Sequence, residues 1–223
     1  MKMSPWMFEA TADAPATGFR LYRKIGKRLL DIFLAIVMLP ALLPMIAILW
    51  LWVRADGGPG FFVQPRIGRN GRIFNCWKLR TMVVDAESVL ARMCASDPAR
   101  ANEWLINQKL RHDPRITRAG RFLRATSLDE LPQIFNVLRG DMSLVGPRPF
   151  LPDQEAIYRE AGGHGYYHLR PGITGIWQVE GRNTTSFAAR VGFDNRYNEA
   201  MSLGRDLVLI AKTALIVLKR TGR

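Results

Sequence analysis

Two adjacent carboxylates, Asp129 and Glu130, and an arginine in the stiff loop Gly146-Pro147-Arg148-Pro149 are the residues of this chain best equipped for chemistry. Carboxylates can attack phosphorus or hold a divalent metal, and a guanidinium grips phosphate oxygens in a fixed fork. Pro147 and Pro149 restrict the backbone around Arg148 and reduce the entropy lost when its side chain is immobilised. A helix that begins at Asp129 or Glu130 places a carboxylate beside exposed amides and the positive end of the helix dipole. That placement favours the ionised form and helps gather phosphate oxygens. A plainer reading stands beside it, in which Ser127 and Glu130 form a capping box and Arg148 belongs to a structural turn. Pro132 speaks against Ser127 as the cap, because it would fall at the fifth helical position, where its missing N–H matters.

The elements that must position these groups begin with the apolar run Ile134 to Leu138, which leads through Gly140 and Asp141 to the arginine loop. Upstream, the segment from Phe19 to Arg28 is strongly basic, Asp31 follows, and the 22 residues from Ile32 to Val53 carry no charge. As one straight helix they span about 33 Å, close to the hydrocarbon thickness of a bilayer. Pro40 and Pro44 fall in the middle, and both flanks are basic, whereas a simple span wants lopsided flanks. A helix that breaks near Pro40 and returns to the same face satisfies both facts. A simple span and a buried core helix are the competing readings. Trp50 and Trp52 suit the interface, and Asp31 either pairs with Lys27 or Arg28 near the entry level or forms an ordinary helix–helix salt bridge.

Asp56 to Gly60 marks the end of the membrane element. Phe61 to Val63 and Ile73 to Trp77 then read as a hairpin around a basic turn, with Arg66, Arg69, Arg72, Lys78 and Arg80 about it. This cluster fits either solvated surface or contacts to lipid headgroups or a diphosphate. Residues 85–92 and 99–108 read as helices, the latter with Trp104 and Leu105 inward, and Arg118 to Arg124 reads as a basic helix. Ile176 to Val179 reads as a strand, and Gln178, Arg182 and Asn183 are candidates to line a sugar or nucleotide pocket. Residues 187–202 are helical in part, and Leu203 to Leu218 forms a C-terminal helix. Its 13 residues from Asp206 to Leu218 are too short to span, so it packs on the domain and leans on the membrane surface.

The chain of 223 residues can bury one sizeable core with an appendage. Its 32 Lys and Arg against 19 Asp and Glu, a formal net charge of +13, call for a polyanionic partner. No nucleic-acid-binding motif is present, so no nucleic acid is expected. Cys76 and Cys94 form no metal or disulfide pattern, and His112, His164 and His168 form no metal spacing. Residues 1–18 lack a signal-peptide pattern and read as mobile. The expected class is α/β: a small, mostly helical catalytic domain with short strands, anchored by a broken, re-entrant N-terminal membrane helix and a C-terminal interfacial helix. The divisions are 1–18, 19–55, 56–202 and 203–223.

The motifs, taken in order, resemble the bacterial sugar transferases, the monotopic polyprenyl-phosphate sugar-1-phosphate transferases that start exopolysaccharide assembly. The likeness runs from about Tyr22 to the C-terminus. It rests on Lys27-Arg28 with Asp31, Gly60-Phe61-Phe62 with Gln64-Arg66 and Gly68, Lys78-Leu79-Arg80-Thr81-Met82, and Asp113 to Thr117. It continues through Thr126 to Gln133, Ser143 to Pro149, and Pro171 to Gly175 with Trp177-Gln178-Val179.

The resemblance implies that Asp129 is the nucleophile and Glu130 its partner, chiefly as a ligand of Mg2+, with Asp129 also available to the metal. Asp129 would attack the sugar-linked phosphorus of a UDP-sugar, expel UMP, and pass the phosphosugar to undecaprenyl phosphate. Galactose or glucose phosphate is the implied cargo. Arg148 with Pro147 and Pro149 would handle phosphate or nucleotide, with Lys78, Arg80 and Arg115 as further phosphate-binding candidates. Direct transfer in one step, with Asp129 as metal ligand, and a non-enzymatic basic membrane-surface protein are the rival readings. The resemblance places the catalytic domain on the cytoplasmic face of the bacterial inner membrane, in contact with membrane lipids. It admits a homodimer. No accessory region precedes the motifs, so the chain is expected to be a minimal catalytic unit.

Overall fold

The structure, a computed structural model, describes residues 21–107, 110, 113–181 and 185–218. The N-terminal segment 1–18, His112, Arg182 and Asn183 lie outside the described residues. The mostly helical class with short strands is what the chain adopts. After one wide π-helical turn, Tyr22–Gly26, helix α1 runs from Lys27 to Arg54. A hairpin follows, β1 (Phe61–Ile67) paired antiparallel with β2 (Ile73–Leu79). Next come α2 (Ala86–Ser96), α3 (Pro98–Asn107), α4 (Arg118–Thr126), a 3-10 turn (Leu128–Glu130) and α5 (Gln133–Arg139). Strand β3 (Ser143–Val145), helix α6 (Glu155–Glu160), strand β4 (Gly172–Thr174), and helices α7 (Ile176–Glu180), α8 (Arg190–Glu199) and α9 (Leu203–Leu218) complete it.

Helix α1 is apolar and long enough to cross a membrane. The hydrogen-bonded helix does not break at Pro40, as the sequence predicts, but runs through both prolines. Their four-residue spacing explains this. Each proline removes a single bond, to the carbonyls of Ile36 and Pro40, and places both losses on successive turns of one exposed side. The rest of the ladder survives. Full burial falls on Lys27, Asp31 and Ala35 in the first part and on Ile46, Leu49 and Val53 in the second, with Met38, Leu39 and Leu42 between them half-buried against the core. Both ends attach to the same domain. At the start, Arg28 donates to the carbonyls of Val137 and Leu138 at 2.6 and 2.9 Å, capping the C-terminus of α5. At the finish, Arg80 donates to the Val53 carbonyl at 3.0 Å.

Asp31 does not pair with Lys27 or Arg28. Its Oδ1 accepts from the Ser143 hydroxyl and the Leu144 amide, both at 2.9 Å, so the membrane helix holds the start of β3 directly. Lys27 reaches the C-terminal helix instead, 2.7 Å from Asp206, which is fully buried. The hydroxyls of Tyr22 and Tyr197 donate to the same carboxylate at 2.6 and 2.7 Å. Three donors thus surround one buried charge, which ties α1, α8 and α9 together.

Beneath these polar anchors lies one apolar core. Ile134 and Val137 of α5, Leu144 and Val145 of β3, Tyr197 of α8 and Leu209 of α9 meet Ala35 and Ile46 of α1 there. Strands β3 and β4 pair in parallel, a contact the sequence reading missed. Gly146 permits it, because a Cβ there would fall 2.4 Å from the Arg170 carbonyl. Ile176 to Val179, read as a strand, is a short helix, and β1 extends through Pro65 to Ile67 because Pro65 lies on an exposed edge. Helix α9 buries Leu209 and exposes Leu207, Val208 and Leu215, the two-faced pattern expected of it. Trp52 is exposed beside Phe122 of α4, with ring centroids 5.5 Å apart.

Asp206→Ala leaves Lys27, Tyr22 and Tyr197 without their shared acceptor and is expected to lower stability by about 3–5 kcal/mol. Asp206→Asn, which keeps an acceptor for the tyrosines, should cost less. Denaturant unfolding of the detergent-held protein checks the order.

Candidate active site

The polypeptide reaches the carboxylates through a reversal rather than a helix start. Ser127 adopts the left-handed conformation (φ 58°), ends α4, and makes no capping hydrogen bond, so the capping box is not formed. Asp129 and Glu130 lie in the following 3-10 turn, and α5 begins only after Pro132. The proline therefore occupies a position where no N–H is needed, as its chemistry requires.

Glu130 is the fixed member of the pair. Arg148 donates to both of its oxygens, Nη2 to Oε1 at 2.6 Å and Nη1 to Oε2 at 3.3 Å, and Lys78 Nζ lies 2.9 Å from Oε1. This is a two-pronged guanidinium–carboxylate pair with a second cation on one oxygen. Burial works against the Glu130 charge, but Arg148 and Lys78 hold its carboxyl well below the usual range.

Asp129 is held differently. It is buried, yet no described residue donates a hydrogen bond to its carboxylate. Burial pushes its carboxyl up; Lys78 opposes that, the Glu130 charge adds to it, and Arg148 and Arg124 pull it down more weakly. Of these, Arg124 donates through Nε to the Thr81 hydroxyl at 2.9 Å. The result is one carboxylate locked in an ion-pair network and a neighbour that accepts no hydrogen bond from a described residue.

The Arg148 loop is fixed on both flanks. The Pro147 carbonyl accepts from the Gly172 amide at 2.8 Å, and the Pro149 carbonyl accepts from Arg66 at 3.4 Å. A residue the sequence reading passed over, Arg190, donates to the Arg148 carbonyl. Its guanidinium sits 5.2 to 5.7 Å from the rings of Phe150, Tyr158, Trp177 and Phe187, and its Nε is 3.5 Å from Asp194. Asp194 in turn accepts from the Tyr158 hydroxyl at 2.7 Å, and burial pushes its carboxyl up to about 6. The i, i+4 spacing of Arg190 and Asp194 was the available signal. A small cavity opens beside the network, lined by Arg66, Cys76, Lys78, Glu130, Gln133, Arg148 and Pro149.

Two predicted phosphate-binding residues are not available to a ligand. Every N–H of Arg80 has an internal partner: Nε the Pro59 carbonyl, Nη1 Asp56 and the Met82 carbonyl, Nη2 Asp56 and the Val53 carbonyl. It closes the C-terminus of the membrane helix. Arg115 is buried, pairs two-pronged with Asp113 at 2.8 and 2.6 Å, and lies over the Trp104 ring at 5.0 Å. Both amide atoms of Gln178 are buried and lack a hydrogen-bond partner among the described residues. No group of three or more His, Cys, Asp or Glu side chains converges among the described residues.

A sequence profile of the bacterial sugar transferase family matches residues 22–220. The "Undecaprenyl-phosphate galactose phosphotransferase" of Salmonella typhimurium is 46% identical over 88% of this chain and 41% of its own length. "Exopolysaccharide production protein ExoY" of Sinorhizobium fredii is 46% identical over 85% of this chain and 84% of its own. The "UDP-glucose:undecaprenyl-phosphate glucose-1-phosphate transferase" of Caulobacter vibrioides is 38% identical over 85% and 68%, respectively. The chain spans about two fifths of the length of several of the curated relatives it matches.

The unequal settings of the pair predict unequal costs. Asp129→Asn removes a charge that burial opposes and should not lower stability, whereas Glu130→Gln weakens bonds to two cations and should cost about 1.5–3 kcal/mol. The pH dependence has opposite signs. Native Asp129 holds its proton more tightly than the unfolded chain, so its ionisation costs stability as pH rises from the unfolded aspartate range through its raised native value. Native Glu130 stabilises above the unfolded glutamate range, and this contribution is lost as pH falls towards its depressed value. Urea unfolding of each variant across the acid range checks both.

Proposed function

The chain belongs to the bacterial sugar transferase family, and from that membership and the geometry of its site we propose that it transfers a sugar-1-phosphate from a UDP-sugar to undecaprenyl phosphate through a covalent aspartyl intermediate. The observation that carries this reading is the contrast between the two carboxylates. Asp129 accepts no hydrogen bond from a described residue, while its neighbour holds two cations beside it. A carboxylate left without donors, next to cations that can receive phosphate oxygens, is suited to attack phosphorus.

In the first step an Asp129 oxygen bonds to the sugar-linked phosphorus, the bond from that phosphorus to the bridging oxygen breaks, and UMP leaves with the electron pair. In the second, an oxygen of undecaprenyl phosphate attacks the same phosphorus. The diphosphate-linked sugar forms, and the Asp129 carboxylate is regenerated. Lys78 and Arg148, held by Glu130, offset the charge of the transferring group in both steps. Splitting the transfer in two lets one small site serve a water-soluble donor and a lipid acceptor in turn.

Magnesium binds through one or two carboxylates together with substrate phosphates and water. Both oxygens of Glu130 are taken by Arg148 and Lys78, so Asp129, whose carboxylate accepts no hydrogen bond from a described residue, is the member of the pair open to a magnesium ion carried in with a diphosphate, where the ion would neutralise phosphate charge. The similarity to relatives named as galactose and glucose transferases supports galactose or glucose as the sugar.

The attachment of both ends of α1 to one domain favours a monotopic placement, with the domain on one side of the membrane, over a simple span. A crossing helix would carry one of its ends away, whereas here Arg28 is bonded to α5 and the Val53 carbonyl to Arg80. The exposed apolar flank of α9 supports the same placement, and the proposal puts the domain on the cytoplasmic surface of the inner membrane, where a lipid phosphate can meet Asp129.

Nanodisc-held protein given magnesium and a panel of UDP-sugars, without lipid phosphate, should release UMP in a single stoichiometric burst with one sugar. Asp129→Asn should release none. Release that begins only after undecaprenyl phosphate is added would favour direct transfer, with Asp129 as a metal ligand.

A further inference from the structure

The hairpin puts a second arginine into the site. Side chains alternate along a strand, and directly paired residues share a face, so Phe62, Gln64 and Arg66 of β1 lie on the same side as Phe74, Cys76 and Lys78 of β2. That side forms part of the cavity beside Glu130, where Arg66, Cys76 and Lys78 are all lining residues. The cations of this cavity are not equally occupied. Arg148 places both terminal nitrogens on Glu130, and Lys78 is bonded to the same carboxylate.

Arg66 has no carboxylate of its own. Its Nη2 donates to the neutral Gln64 side chain at 2.6 Å, its Nη1 makes a long bond to the Pro149 carbonyl at 3.4 Å, and its buried Nε has no partner among the described residues. Burial, reinforced by repulsion from Arg148 and opposed by Cys76 and Glu130, draws the guanidinium below its ordinary value. A guanidinium edge with an unoccupied Nε–H matches a phosphoryl group, which can take two parallel hydrogen bonds.

We propose that Arg66 is a phosphate-gripping residue, its guanidinium receiving a phosphoryl oxygen of the substrate beside the Lys78–Glu130–Arg148 network. The inference rests on the transferase reading above. Donor diphosphate and acceptor phosphate present the same oxygens, and the kinetic arms below separate them. The division of labour follows from the contacts. Lys78 and Arg148 stay organised around Glu130, and Arg66 supplies the donor not yet engaged.

The test uses nanodisc-held full-length protein with Arg66→Gln and Arg66→Lys, the latter keeping the charge but not the fork. At least a tenfold rise in KM for the UDP-sugar, with the KM for undecaprenyl phosphate unchanged, assigns Arg66 to the donor. The converse split assigns it to the acceptor. Both KM values within twofold of the wild type in a folded variant overturn the proposal and leave Arg66 a structural link between β1 and the Pro149 carbonyl. Phenylglyoxal labelling of the wild type, read by peptide mass, keeps the question decidable if neither variant folds. Protection of Arg66 by UDP or by undecaprenyl phosphate supports the assignment, and equal labelling with and without each overturns it. A wild type that turns over no UDP-sugar defeats the functional reading itself, before any variant is compared.

Discussion

The site depends on one carboxylate that is fully engaged by cations. Glu130 sits between Lys78 on β2 and Arg148 on the proline-flanked loop, and its two oxygens fix both cations. These elements come from distant parts of the chain, so the ion-pair network is also the seam between the hairpin, the 3-10 turn and the loop. Buried charges are costly alone and tolerable when paired and hydrogen-bonded, which is why the three appear together. Their mutual satisfaction leaves Asp129, one residue earlier, in the field of the cations and without a donor of its own. The proposed nucleophilic role of Asp129 rests on that asymmetry.

The membrane helix contributes to the same geometry from the other side. Arg28 caps α5, whose N-terminal end follows the carboxylate turn, and Asp31 holds the first residues of β3, which lead into Gly146 and the Arg148 loop. Lys27 fastens the C-terminal helix through Asp206. A basic segment before an apolar stretch is commonly read as a lipid-headgroup contact. Here part of that charge is turned inward and orders the catalytic domain. Arg80 plays the corresponding part at the far end, closing the last turn of α1 and the Asp56–Pro59 loop. The attachment of the apolar helix to the domain and the positioning of the site are thus carried by the same side chains.

Much of this was legible in residue type and spacing. The carboxylate pair, the stiff arginine loop, the hairpin, the apolar N-terminal helix and the two-faced C-terminal helix each leave a local pattern. Other features depend on partners far away in sequence. Arg80 and Arg115 look like phosphate ligands because a guanidinium offers the same fork to carbonyls, carboxylates and phosphates, and only the fold decides which it meets. Ser127 and Glu130 carry a capping-box spacing, but the left-handed turn at Ser127 and the pull of two cations on Glu130 override it. Ile176 to Val179 is too short an apolar run for its periodicity to separate strand from helix. Arg190, enclosed by four aromatic rings contributed by separate segments, has no local signature beyond its spacing from Asp194.

The covalent step is the central claim, and peptide mass spectrometry reads it directly. Protein quenched in acid after incubation with its UDP-sugar and magnesium, without lipid phosphate, should carry one hexose phosphate on the peptide containing Asp129. The adduct should disappear when undecaprenyl phosphate is added before the quench. An unmodified Asp129 peptide from a preparation that turns over when lipid is supplied would contradict the account and make the transfer a single direct step.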